Sequence, residues 1–334
     1  MEMFKEISQI TQRFVCRQKW TLMLCLLFAL IIVPTVTHFL KWPSPGDTDM
    51  DNVPQELYED VFRRWYNLTD GEKHWYNLKN DIKWDDVDLL REVKRNWIIQ
   101  EYDAAKPYSL NDPYLNDTSM GQAQMIREIF QEKKGGFFVE CGAYDGETRS
   151  NTLNLERFYN WTGLLIEADP INFTKMLIKN RKAWLTPSCL SIEPRPMVAN
   201  FLMAKNIGRL HDPEHSEEGI ENTADVAHTG THVKVQCFPL ATYAAALDVT
   251  TIDYFSLDIE GNEMEVLETI PFDRLDIKTL SVEYVHGKKD RDYMINFMKK
   301  RGYHVYNFVE RDDNLANDVI FVKNTLPNSP LHEL

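Results

Sequence analysis

Apolar and polar positions follow two rhythms along this chain. Residues 55–66 carry Leu57, Val61 and Trp65 at near-helical spacing, and residues 85–102 repeat the pattern with Val87, Leu90, Val93 and Trp97, which predicts two amphipathic helices. A third helix, 122–131, leads through Gly135-Gly136 into the short apolar run Phe137-Phe138-Val139, and a second such run follows at Gly163-Leu164-Leu165-Ile166. Short runs of this kind, bounded by glycine or acid, predict buried strands. Further strands are predicted at 183–190, 197–204, 233–237, 252–257 and 279–283, with helices at 171–180, 262–270 and 291–301. Two last strands, 303–308 and 318–322, form a terminal hairpin. The expected fold class is α/β, with a mostly parallel seven-stranded sheet in which one strand runs antiparallel.

A different pattern lies ahead of these elements. Residues 20–37 run for about 18 positions without a charge, near the lower limit for a helix that crosses a bilayer. Lys5, Arg13, Arg17 and Lys19 precede the run while Asp47, Asp49 and Asp51 follow it, so the positive-inside rule puts the N-terminus in the cytosol. The expected organisation is a cytosolic tail at 1–19, an N-terminal transmembrane anchor at 20–40 and a partly helical lumenal stem at 41–118. An α/β domain at 119–325 and a tail at 326–334 complete it. An uncleaved type II anchor is favoured over a leader peptide because no small-x-small cleavage site follows. Triplets of the form N-x-[ST] at Asn67, Asn116, Asn160 and Asn172 all lie beyond the apolar run, as glycosylation in a secretory lumen requires. The terminal His332-Glu333-Leu334 is similar to a retrieval signal but lacks its full form.

Charge and cysteine content narrow the picture. A formal net charge of -14 on 334 residues argues against a sequence-independent grip on nucleic acid. No CxxC pair or Cys/His cluster has metal-ligand spacing, so no metal is expected, and His211, His215, His228 and His232 read as solvated loop residues. Cys189 and Cys237 fall on expected strands in an oxidising lumen, where a disulfide could join them while Cys141 stays free.

The chemistry concentrates at strand ends. Glu140-Cys141-Gly142-Ala143-Tyr144-Asp145-Gly146 closes the first strand with an acid and a glycine-punctuated turn, the form of a Rossmann-like ligand loop. The acid-x-Gly-x-x-x-Gly spacing suits S-adenosylmethionine, which has no pyrophosphate to seat. Glu167, at the tip of the next strand, is placed to accept hydrogen bonds from a ribose diol. Asp258 and Glu260 end a later strand, and Glu283 and His286 follow another, so acids from separate strands converge on one rim.

The string 136–147, the run Ser150-Asn151-Thr152-Leu153, Gly163 to Glu167, Lys179 to Trp184 and Leu257-Asp258-Ile259-Glu260-Gly261 resemble the FkbM-type methyltransferase family over roughly residues 119–323. The resemblance implies a Rossmann-like S-adenosylmethionine-dependent methyltransferase fold, a cofactor site at Glu140, Gly142, Ala143, Tyr144, Gly146, Glu167, Ala168 and Asp258, and a reacting centre at Asp258, Glu260, Glu283 and His286. Ser256 stands where many members carry lysine. With the membrane anchor, the chain is most similar to the animal Star proteins, which implies help to membrane or growth-factor-precursor cargo moving from the endoplasmic reticulum to the Golgi or endosomes. Two readings stay open: a cargo escort built on a methyltransferase fold, and an active O-methyltransferase of glycan or lipid hydroxyls.

Overall fold

The central strands of the chain are buried on both faces, and that sets the architecture. The computed structural model describes residues 53–67, 82–100, 102–103, 105–204, 207–211, 231–287, 289–312 and 315–326. The expected tail at 1–19 and anchor at 20–40 lie outside the described residues, as do His215, His228 and nearly all of 326–334. Among the described residues no helix is long and apolar enough to cross a membrane.

Among the described residues eleven strands form two sheets: β1 (Phe137–Cys141), β2 (Thr162–Ile166), β3 (Trp184–Thr186), β4 (Cys189–Leu190), β5 (Met197–Met203), β6 (Arg209–Leu210), β7 (Thr231–Phe238), β8 (Thr251–Leu257), β9 (Asp276–Glu283), β10 (Tyr303–Glu310) and β11 (Asn317–Lys323). The main sheet has seven strands in the order β10-β11-β9-β8-β1-β2-β3. Its pairings are parallel except along β11, which runs antiparallel to both β10 and β9. The α/β class, the seven-stranded sheet and the terminal hairpin thus stand as the apolar runs predict. Phe138, Val139, Leu164, Leu165, Phe255, Leu257, Leu280 and Val282 are all out of contact with water, which is why these strands read as continuous apolar runs.

Helices cover the sheet: α1 (Gln55–Val61), α2 (Val87–Glu92), α3 (Gln122–Ile129), α4 (Leu153–Tyr159), α5 (Pro170–Leu177), α6 (Leu240–Ala246), α7 (Glu263–Thr269) and α8 (Arg291–Lys299). Asp169 caps α5 by accepting from Ile171 and Asn172 N–H, with Pro170 preset at the first turn. Helix α6 was not expected from the sequence. It is buried on nearly every side, so it carries no polar face for periodicity to detect.

Two features differ from the sequence expectation. A second sheet, ordered β4-β7-β5-β6, is inserted between β3 and β8 of the main one. The described part of the expected stem also belongs to the folded core. Helices α1 and α2 each end in a wider turn, closed by Asn67 N–H to Phe62 C=O at 2.7 Å and by Ile98 N–H to Val93 C=O at 3.0 Å. These turns bury Trp65 against Phe173 and Trp97 against Phe238. Ile99 then exchanges both backbone hydrogen bonds with Leu185 on edge strand β3. Helical spacing shows which face of a segment is apolar; it does not show that the face meets the neighbouring domain.

Candidate functional site

Strands β1 and β8 lie side by side in the middle of the main sheet, and from this line the strand order runs outward in opposite directions. The crevice at their carboxyl ends is where such sheets bind ligands. Cys141 pairs with Leu257, and Asp258 N–H donates to the Cys141 carbonyl at 3.2 Å. Gly142 turns the chain with φ of 80°, and a Cβ there would lie 1.8 Å from the Asp258 carbonyl oxygen. Only glycine fits. Gly146, with φ of 77°, lies against Met176, whose Cγ would be 2.8 Å from a Cβ placed there.

Two cavities open at this point. The smaller, about 630 Å³ with the open solvent at its mouth, is lined by Glu167, Ala168, Ser188, Leu190, Phe201 and Leu210 among others. The larger, about 1710 Å³ with its open mouth, is lined among others by Glu140, Arg149, Asn151, Ser256 and His286. Cys141, Gly142, Tyr144, Asp258 and Glu260 line both. Of the expected cofactor residues, Glu140, Gly142, Tyr144, Glu167, Ala168 and Asp258 therefore face a cavity. Ala143 and Gly146 line neither; they shape the turn behind it.

Glu140 does more inside the protein than at its surface. Its Oε1 accepts from Asn151 N–H at 2.7 Å, and its Oε2 accepts from the Ser150 and Thr152 hydroxyls at 2.9 and 2.5 Å. Burial pushes its carboxyl up, opposed by Arg181 and these donors. The acid at the end of β1 thus fastens the segment that enters α4. Below it Arg181, fully buried, pairs with Glu156 and donates to the Gly146 carbonyl and the Thr152 hydroxyl. Lys179 pairs with Glu147 at 2.6 Å, and Glu147 also accepts from Asn111 and Asp112 N–H, which draws residues 111–112 onto the loop.

Glu167 ends β2 with Oε2 accepting from Tyr144 N–H at 2.7 Å and Oε1 from Asp169 N–H at 2.8 Å. Each oxygen keeps a lone pair for a ligand hydroxyl. Burial, with Asp169 adding, pushes the carboxyl up to about 8. A diol that donates to Glu167 favours its ionised form.

The expected reacting groups do gather at one rim. His286 Nδ1 lies 2.9 Å from Glu260 and 3.2 Å from Glu283, and these acids push the imidazole up to about 10. That corrects the expectation of His286 as a proton acceptor: at neutral pH it is already an imidazolium. Glu283 sits behind the cavity wall and lines neither space. Asp258 is raised well above the usual carboxylate range by burial and by Glu260, Glu283, Asp318 and Glu263. Glu263 is pushed up to about 8 by burial and then Glu283, and Asp318, beside Glu283 in the sheet, to about 7 by burial.

Ser256 is buried, and its hydroxyl oxygen accepts from Asn151 Nδ2 at 2.9 Å. Sequence reasoning passed over Arg149, Asn151 and Ser188 as site residues. Arg149 and Asn151 sit just beyond the glycine loop, so reading on past Gly146 would have found them. Ser188 could not have been found, because it depends on where β4 folds back.

Cys189 and Cys237 join β4 to β7 through a disulfide, and Cys141 is free and buried. His211 and His232 meet at 2.9 Å between ring nitrogens, which loop histidines scattered in sequence did not predict. Asn67, Asn116 and Asn160 are exposed, whereas Asn172 is 2% exposed on α5 and lines the smaller cavity. The expectation of a glycan at Asn172 is corrected: a sugar cannot occupy that packed position.

Residues 140–305 match the family model of the methyltransferase FkbM domain. No curated protein matches the chain significantly. Among solved structures it is similar to TrmK of M. capricolum in complex with S-adenosyl-homocysteine, at 10% identity and a TM-score of 0.32, covering 60% of this chain and 68% of that one. It is also similar to a protein assigned as a class I S-adenosylmethionine-dependent methyltransferase from Listeria monocytogenes, at 12% identity and a TM-score of 0.32, over 64% of this chain and 61% of that one. The fold is methyltransferase-like, and the FkbM-domain match supports S-adenosylmethionine as the cofactor.

Proposed function

We propose that this protein is an S-adenosylmethionine-dependent O-methyltransferase acting on a glycan or lipid hydroxyl at the lumenal face of a secretory membrane. The observation that carries the reading is the shared wall: Cys141, Gly142, Tyr144, Asp258 and Glu260 face both cavities, so a nucleoside held in one presents its far end to the other. When bound, S-adenosylmethionine supplies a methyl group whose carbon–sulfur bond breaks as the acceptor oxygen bonds to carbon, leaving S-adenosylhomocysteine. Glu167 takes the ribose hydroxyls through its remaining lone pairs. Arg149, exposed on the wall of the larger cavity, offers a cation to the methionine carboxylate. Glu260, on the wall shared by both cavities, is the carboxylate in reach of the acceptor's proton. Most of the rate advantage then comes from holding donor and acceptor in line.

Lumenal placement draws support from the uncharged run at 20–37, its basic flank, the exposed sequons and the Cys189–Cys237 disulfide, a bond that oxidising compartments keep. The disulfide also favours a second reading. In an oxidising lumen S-adenosylmethionine must be supplied across a membrane, and a cargo escort in the endoplasmic reticulum, Golgi or endosome needs no such supply. Calorimetric titration of the full chain in detergent separates the two. Micromolar binding of S-adenosylmethionine, weakened at least tenfold by Glu167→Ala, is the expected result. Silence at millimolar cofactor ends the transferase reading and leaves the escort.

A further inference from the structure

We propose that Asp258, Glu263 and Glu283 form a site for one hard divalent cation of the magnesium, manganese or calcium class, at the carboxyl edge of the main sheet. The three acids come from different elements: Asp258 follows β8, Glu263 opens α7 and Glu283 ends β9. One carboxylate oxygen from each lies within 4.8 Å of the others, the span that a single ion closes. The donors are all oxygen, which selects a hard cation over a soft one. Sequence spacing gave no hint of this, because positions 258, 263 and 283 form no paired motif.

A second observation separates this cluster from an ordinary group of acids. Glu283 is 5% exposed, yet its Oε2 has no hydrogen-bonding partner among the described residues, while Oε1 accepts from Val285 N–H at 2.8 Å. Buried polar atoms are paired in native proteins, and one left open beside two further carboxylates is short of a positive partner. The Asp258 carboxylate likewise accepts no hydrogen bond among the described residues. Glu263 is already aimed, because its oxygens take the N–H groups of Ile259 and Gly261 at 3.0 to 3.1 Å, a support of the kind that orients metal ligands. Against these acids the described residues set a single ion-pair partner, His286, and it is shared with Glu260.

Asp258 also faces the larger cavity, so a cation on its carboxylate can bind an acceptor hydroxyl directly and ease the loss of its proton. Glu260 is then left to receive that proton. This use rests on the transferase reading above; the binding of the ion does not, and the test reads binding without turnover.

The test is a Mn²⁺ titration of the full chain in detergent, stripped with chelator and followed by electron paramagnetic resonance. One Mn²⁺ per chain, displaced by Mg²⁺ and weakened at least tenfold in Glu283→Gln, is expected. Circular dichroism checks that the variant folds, and if it does not, Asp258→Asn, at a less buried position, is read in its place with the same expected loss. No Mn²⁺ bound by the wild-type chain, or equal binding by wild type and folded variant, overturns the proposal. Ion binding without S-adenosylmethionine binding keeps the site and removes only its part in methyl transfer.

Discussion

Arg181 and Glu156 face each other 3.0 Å apart with both side chains closed off from water, directly beneath the loop that carries Gly146. Breaking a buried pair leaves an uncompensated charge, at a cost of about 3–5 kcal/mol. Arg181→Met is therefore expected to lower the unfolding free energy by about that amount, read from the urea midpoint. The double variant Arg181→Met with Glu156→Leu should recover part of the loss, since Glu156 no longer stands unpaired while Glu140 still lacks the guanidinium beside it.

Two glycines with left-handed backbones make a controlled comparison. At Gly135, φ of 74°, an added Cβ meets nothing within 4 Å, so Gly135→Ala carries only the conformational cost of about 1–2 kcal/mol. At Gly142 the same methyl group would strike the Asp258 carbonyl, so Gly142→Ala is expected to cost clearly more and to weaken cofactor binding as well. Thermal melts of the two variants side by side, with binding measured on each, check the difference.

Glu167 sets a pH dependence with a definite sign. Its carboxyl is raised from 4.5 to about 8 in the folded chain, so between those values the folded state holds more protons than the unfolded one. The stability contributed by this group is full below the unfolded value and is lost as pH rises through about 8. Ligand affinity moves the other way, because ribose hydroxyls donate to the ionised acid. Adenosine, which has no group titrating in that window, should bind up to about tenfold more tightly per pH unit as pH approaches 8 from below. Calorimetry with Glu167→Gln should show the slope removed.

The disulfide between Cys189 and Cys237 spans 48 positions of sequence. Chain-entropy arithmetic for a loop of that size gives about 4 kcal/mol of stabilisation. The double variant Cys189→Ala with Cys237→Ala is expected to lose stability on that scale in urea. Thiol labelling should find Cys141 protected until the chain unfolds, because it is buried.

Glycan mapping tests sidedness and fold together. In chains made by secreting cells, glycopeptide mass spectrometry is expected to find sugar at the exposed Asn116 and Asn160 and none at Asn172. Bare Asn67, Asn116 and Asn160 together would remove the lumenal placement, and sugar on Asn172 would contradict the packing of α5.

Much of the site could be read from the sequence, for a physical reason. Gly142 and the acids at 167, 258 and 260 stand at strand ends, where close backbone approach demands glycine and ligand polarity demands an acid. The inserted sheet escaped notice because β4 and β6 are two residues each, too short to show alternation. Trp65 and Trp97 read correctly as helix faces but were assigned to a stem, since periodicity is silent about what a face will meet. Glu140 was expected to touch the ligand, yet the Ser150-Asn151-Thr152 run claims both its oxygens, a pairing between residues ten to twelve apart that no strand-end rule anticipates.

The inserted sheet has one consequence beyond its own stability. Cys189 is itself part of the smaller cavity's lining, beside Leu190, Phe201 and Leu210 from the same inserted strands. The sulfur bridge is thus both a strap on the insert and a piece of that cavity's wall. Reduction of the bridge is therefore expected to loosen one wall of the smaller cavity together with the insert, so oxidation state and the shape of that cavity are linked through a single residue.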